Sequence, residues 1–175
     1  MSSTLKKVAF SILGLITLLS GLWLDFYLPE KSIATITGVE VKRVDKDGPI
    51  GKENPADGPT MDVYYIYTAQ DGEKVRVFRN EDTRWSWPWY FKFNSADVQA
   101  KAKTLEFEKK TARLTSYGWR INILSQFPNV TKIEVVDRDA SSFSFFRWFW
   151  FALWAALLGY LSLRCQRYFA AKELS

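Results

Sequence analysis

The heptapeptide RNEDTRW, residues 79–85, sets Glu81, Asp82 and Arg84 beside a run that holds Trp85, Trp87, Trp89, Tyr90, Phe91 and Phe93. Two carboxylates on an aromatic platform are the equipment of glycoside hydrolysis, where one serves as acid and the other as base or nucleophile. Adjacent residues on an extended chain point to opposite sides, however, so Glu81 and Asp82 would not face one substrate together. The reading preferred here is a structural charge cluster of Arg79, Glu81, Asp82, Arg84 and Arg120, whose carboxylates bind arginines and backbone N–H groups. No catalytic residue is expected. The chain has no His, which removes the usual general base and the commonest metal ligand. A single cysteine, Cys165, forbids an internal disulfide and a cysteine-based metal site. DGP occurs at Asp47 and again at Asp57, but without the alternating acidic spacing of a calcium loop. Phosphate-loop, nucleophile-elbow and dinucleotide-binding patterns are missing too. No metal and no cofactor are expected. Net charge is +5 with acids and bases interleaved, so no nucleic-acid partner is expected.

The aromatic run raises its own question. Aromatic residues make up 17% of the chain, more than a soluble core of this size needs. Three destinations are open for these rings: a core between a hairpin and a helix, a rim lying at a membrane interface, or a binding patch. The candidate partner or interfacial surface is Trp85, Trp87, Trp89 and Tyr90. Pro88 bars the run from a central strand.

The elements that carry these residues are bracketed by two apolar stretches. Residues 8–28 contain one charge, Asp25, and residues 143–163 contain one, Arg147. Each is long enough to cross a bilayer as a helix, which takes about 20 residues. The first is read as an uncleaved anchor, since no small-residue cleavage motif follows it. Lys6 and Lys7 precede the first stretch, and Arg164, Arg167 and Lys172 follow the second. The positive-inside rule then places both termini in the cytoplasm of a bacterial inner membrane and residues 29–142 outside it. The plan is a cytoplasmic N-terminus over 1–7, a span over 8–28, a domain over 29–142, a span over 143–163 and a cytoplasmic tail over 164–175. Asp25 and Arg147 fall at similar depth below one boundary, which makes them a candidate intramembrane pair; the alternative is that each snorkels separately to the headgroups. Ala152, Ala155, Ala156 and Gly159 form a small-residue face suited to helix packing.

Between the spans the pattern is α+β: a small, mainly antiparallel β domain of four or five strands with one short helix, flanked by the two membrane helices. Residues 32–45 read as a strand in which Gly38 marks a bulge or bend. Residues 45–62 read as a loop. Residues 62–80 read as a hairpin about Asp71-Gly72, the preferred pair for a two-residue type I′ turn. That turn would set Thr68 opposite Val75, Ile66 opposite Val77, Tyr65 opposite Phe78 and Tyr67 opposite Arg76. A helix is expected over about 96–105, capped by Asn94 or Ser95, with Val98, Ala102 and Leu105 on its buried face. Strands are expected from Thr111 up to a turn at Gly118, and over about 130–136.

Two long segments, RNEDTRWSWPWYFKFNSADVQA (79–100) and YGWRINILSQFPN (117–129), resemble the bacterial domain-of-unknown-function family 1523. So do LPE (28–30) after a hydrophobic anchor and GVEVKRVD (38–45) in a strand. The resemblance implies an uncharacterised membrane-anchored protein and brings no catalytic residue with it. Arg84, Ser86 and Trp89 stand where a Gly or a second Pro would fit the family's aromatic stretch.

Taken together, these features lead us to expect a non-enzymatic two-pass membrane protein whose outer domain is an accessory, scaffold or regulatory module for another envelope component. Its partners would be the lipid bilayer and either an envelope protein or further copies of itself. The competing classes are an envelope enzyme using Asp or Glu on glycan or lipid, a subunit of an oligomeric channel or transporter, and a foreign-element exclusion protein.

Overall fold

The structure is a computed structural model that describes residues 3–45, 48–70, 74–86 and 90–173. The chain divides into two compact units, Pro29–Phe143 and the pair of terminal segments Met1–Leu28 and Ser144–Ser175.

The terminal unit is a pair of helices, α1 (Ser3–Tyr27) and, at the other end of the chain, α3 (Phe145–Glu173). Both are long and apolar enough to cross a membrane, over Thr4–Tyr27 and Phe145–Lys172. The second therefore runs as helix well past residue 163, through most of the expected tail. Residues that are less exposed recur at spacings of three and four: Phe10, Leu13, Thr17, Ser20 and Leu24 on α1, and Arg147, Phe151, Trp154, Leu158, Ser162 and Cys165 on α3. That is the seam by which two antiparallel helices pack. Phe10 meets Phe169 at 6.5 Å between ring centroids. Farther along, Trp154 Nε1 donates to Ser20 Oγ at 3.0 Å. Gly21 matters here, because a Cβ at that position would lie 3.1 Å from the Trp154 ring.

The central unit contains β1 (Glu30–Asp45), a two-residue β2 (Gly48–Pro49), β3 (Met61–Gln70), β4 (Lys74–Asn80), α2 (Ser95–Glu108), β5 (Thr111–Tyr117) and β6 (Asn129–Val135). The strand order is β2-β1-β3-β4-β6-β5, and β5 also pairs with β1, so five strands close into a barrel. Closure depends on the length of β1. Its first half pairs with β5, from Glu30 opposite Ser116 to Thr35 opposite Thr111. Its second half pairs with β3, and the register shifts between Ile36 and Gly38. This bulge bends the strand, so one segment can border two neighbours. The expected bend at Gly38 is present, and the mainly antiparallel strands close into a barrel, a closure that the expected set of four or five strands left unspecified. One contact is parallel, Arg79 with Asn129. A closed Greek-key barrel of five strands with a helix between the third and fourth is the layout of the OB-fold.

The hairpin differs from its expected register. Gln70 faces Lys74, Thr68 faces Arg76, and Ile66 faces Phe78. Three positions, 71–73, separate the paired ends instead of two; they lie outside the described residues, as does the turn expected at Asp71-Gly72. The one-residue slip exchanges the faces of β4. It puts Phe78, which is fully buried, beside the equally buried Ile66 rather than beside Tyr65. Burial of the largest apolar side chain thus outweighs the local preference of the Asp-Gly pair.

The core comprises Ala34, Ile36, Ile66, Phe78, Ala112, Leu114, Val130 and Ile133 from the strands, with Val98, Ala102 and Leu105 from α2. The helical face expected from sequence is the one buried.

Candidate functional site

Two polar arrangements grow out of the 79–100 and 117–129 segments. The first is a lock that holds the aromatic loop on the barrel. The parallel pairing of β4 and β6 is short, and Asn129 extends it with its side chain. Glu81 N donates to Asn129 Oδ1 at 2.9 Å, and Asn129 Nδ2 donates to Glu81 O at 3.0 Å. The amide thus stands in for a peptide group of the missing ladder. Its remaining donor capacity goes to Tyr117 Oη at 2.9 Å. Next to it, Asn80 is fully buried. Its Nδ2 donates to Ser95 O at 2.8 Å and Gln99 Oε1 at 3.2 Å.

The cation in the lock is Lys92. Its Nζ donates to Asn80 Oδ1 at 2.5 Å and Glu81 O at 3.1 Å, and lies 4.0 Å from Asp82 Oδ1. Burial lowers its pKa to about 8, against the opposing pull of the Asp82 and Glu81 charges. Asp82 also accepts from Ser95 N and Ser95 Oγ, both at 2.8 Å. It therefore caps α2 from outside the helix. Asn94 holds the expected N-cap position but makes no side-chain capping bond, so Asp82 supplies it. Lys92 N donates to Thr83 Oγ1 at 3.1 Å and Arg84 N to Lys92 O at 3.0 Å, closing the neck of the loop. Arg84 and Phe91 both take left-handed backbone, φ 48° and 49°.

The expected charge cluster does not form as one group. Arg79 lies 2.5 Å from Glu81, Asp82 turns to Lys92 and α2, and Arg84 is exposed. Arg120 sits apart, donating to Gln126 O at 2.9 Å and stacking over the Phe127 ring at 4.0 Å. Glu81 and Asp82 diverge, as adjacent residues on an extended chain must. The rings of the loop divide as well. Tyr90 stacks on Tyr117 with centroids 3.9 Å apart and planes at 7°. Trp85 is 76% exposed and meets the exposed Phe91 and Phe93 edge-on at 5.5 Å each. Trp87 and Trp89 lie outside the described residues. Sequence reasoning missed Lys92 and Asn129; a lysine between two phenylalanines and an asparagine after a proline carry no signal beyond an exposed cation and a turn.

The second arrangement is a groove of about 600 Å³ on the outer face of the barrel. β1 supplies Lys42, β3 supplies Tyr65 and Tyr67, β4 supplies Arg79, and the loop after β5 supplies Arg120 and Phe127. Tyr65 and Phe127 meet edge to face at 5.4 Å. Lys42 lies 5.6 Å over the Tyr65 ring and 3.4 Å from Glu40. The Tyr67 hydroxyl donates to Glu40, which pushes the Tyr67 pKa up to about 12 and holds that of Glu40 down. Charge in the groove is nearly balanced, with Arg120 the cation that has no carboxylate partner among the described residues. The 118–128 loop is pinned by the mutual Ile121–Gln126 backbone bonds at 3.0 and 3.1 Å. It presents Ile123 and Leu124 at its tip, 96% and 69% exposed. No group of three or more potential metal ligands occurs among the described residues.

In the helix pair, Arg147 and Asp25 form an ion pair. The same guanidinium donates to Leu28 O at 2.6 Å and Asp25 O at 3.3 Å, and lies 5.3 Å from the Phe151 ring. Ala152, Ala155, Ala156 and Gly159 are exposed. The contact between the two helices runs through Gly21 and Trp154 instead, because the small-residue stripe falls on another side of α3.

Comparison with known proteins gives relatives without a described activity. An uncharacterised protein of Haemophilus influenzae is 52% identical over 115 residues, 66% of this chain and 66% of that one, so the matched part spans a little under two thirds of the relative. Among solved structures, a mutant of the Salmonella typhi PltB homopentamer aligns with a TM-score of 0.42 at 10% identity, over 70% of this chain and 96% of that chain. The family model described as "Protein of unknown function (DUF1523)" matches residues 5–169, and the chain belongs to that family.

Proposed function

We propose that this protein is a non-enzymatic recognition module carried on two membrane spans, with both termini in the cytoplasm and the barrel on the outer side of a bacterial inner membrane, where it engages another envelope protein. The observation that carries this reading is the groove of Lys42, Tyr65, Tyr67, Arg120 and Phe127 beside the exposed Ile123–Leu124 tip. Aromatic rings and an arginine in a concave surface, next to exposed apolar side chains, are the composition of a protein-binding patch. Near-neutral local charge favours a folded partner over a polyanionic glycan. The enzyme reading has less to stand on, since the Asp82 carboxylate is tied to Lys92 and Ser95 and the Glu81 carboxylate to Arg79.

Photo-crosslinking in native membranes tests the proposal. A benzophenone side chain at Tyr65 or Phe127 of the full chain should give one discrete protein adduct, and Arg120→Ala should weaken it. The same probe at Phe107, exposed on α2, should not give it. Adducts of the same yield from all three positions, or none from the groove, would overturn the reading; an adduct of twice the chain mass would identify the partner as a second copy.

A further inference from the structure

A different cavity, of about 800 Å³, opens where β1 leaves β5 and joins β3. Thr35 marks this corner, because it pairs with Thr111 on one side and Ala69 on the other. Cations enter from three separate segments: Lys31 from β1, Arg76 from β4 and Arg138 from the stretch after β6. Among the described residues of the lining, Glu30 is the acid that opposes them, reaching Arg76 at 3.5 Å. Lys31 and Arg138 form no ion pair within 4.0 Å among the described residues, although the Lys31 charge acts at longer range on Glu134. Hydroxyls of Thr35 and Ser142 line the same space. Ser32 also lines it, and its buried Oγ has no hydrogen-bond partner among the described residues.

Guanidinium groups and an ammonium, interleaved with hydroxyl donors, match a tetrahedral oxyanion with several acceptor oxygens. The cavity is much larger than a free phosphate needs, so it suits a phosphate that carries an organic group. Lys31 follows shortly after Tyr27, the last residue of α1, and Ser142 comes shortly before Phe145, the first of α3. With both helices read as spans, covalent reach alone keeps these residues within about 15 Å of the lipid headgroups.

We infer that this cavity holds the phosphate of an anionic phospholipid. The inference rests on the two-span reading. Three cations against one acid among the described lining residues disfavour a choline, so a zwitterionic headgroup should bind more weakly.

The test uses the full chain in neutral detergent micelles, titrated with phosphatidylglycerol, phosphatidylcholine, glycerol 1-phosphate and inorganic phosphate, with retained ligand counted by native mass spectrometry. Phosphatidylglycerol should saturate at one per chain and bind about tenfold more tightly than phosphatidylcholine. Arg138→Gln and Lys31→Gln should each weaken it by about tenfold, since each removes one charge-assisted contact. Arg43→Gln should leave it unchanged, because Arg43 bonds Asp62 outside the cavity. Equal binding of the two lipids, or equal binding by the variants, would overturn the inference. Equally tight binding of glycerol 1-phosphate or inorganic phosphate would overturn the lipid as source and make the ligand a soluble phosphate. Fractionation of the same chain separates the underlying reading: if alkaline carbonate extracts it from membranes, the spans fail whatever the cavity binds.

Discussion

Lys92 is the residue on which the aromatic loop depends, and its chemistry can be read through pH. Its folded pKa of about 8 is below the ordinary value of 10.5. Between these two values the unfolded chain binds the proton and the folded chain does not. Stability therefore rises as pH climbs from about 8 to 10.5; the gain is complete above that window and lost below it. Urea unfolding of the full chain in detergent at pH 8 and pH 10 should show this gain, and Lys92→Met should flatten it. A Met variant with the same pH dependence as the parent would mean that Lys92 is not the titrating group. Asp82→Asn should extend the window to lower pH while its upper edge stays, because the Asp82 charge holds the folded lysine pKa up. At pH 7 the Met variant should also be less stable by about 1–3 kcal/mol, since Asn80 Oδ1 and Glu81 O lose their donor.

At the scale of elements, α2 shows why one part of the sequence is legible and another is not. Its buried face was visible because Val98, Ala102 and Leu105 recur at a local period. Its cap was not, because Asp82 reaches Ser95 N across a loop of a dozen residues, and no local rule encodes such a contact. Asp82→Ala should cost about 1–2 kcal/mol and should speed amide exchange in the first turn of α2 selectively. Unchanged exchange there would remove Asp82 as the cap. The same contrast holds in the strands. Gly38 announced a bulge, whereas the hairpin register depends on which β4 side chain the barrel interior accepts. Phe78→Ala should therefore cost about 3–5 kcal/mol, the range for emptying a core aromatic site, while the exposed Val75→Ala should cost little. Equal losses in thermal unfolding would contradict the observed register. The groove was illegible for a related reason: Lys42, Tyr65, Tyr67, Arg120 and Phe127 are scattered over separate segments, and only barrel closure gathers them.

For the molecule as a whole, the open question is what makes the two ends of the chain associate. The Asp25–Arg147 pair was legible, since two lone charges at matching depth suggested it, but its asymmetry was not. The Asp25 side chain is 44% exposed; that of Arg147 is 17% exposed and holds three acceptors. Two of those are carbonyls at the end of α1, groups that a helix leaves without partners. A guanidinium there also complements the negative end of the helix dipole. Asp25→Asn should thus cost less than Arg147→Ala, which should cost about 2–3 kcal/mol, since several charge-assisted bonds go together. Exchanging the charges, Asp25→Arg with Arg147→Asp, restores opposite signs but not the capping, because an aspartate cannot donate to Leu28 O. The double exchange should recover part of the loss of its two single changes and stay below the parent when the full chain is melted in detergent. Strictly additive losses would mean that the side chains do not touch. Full recovery would mean that the ion pair, and not the carbonyl caps, holds the ends together, and the packing of Gly21 against Trp154 would then have to supply the rest of the association.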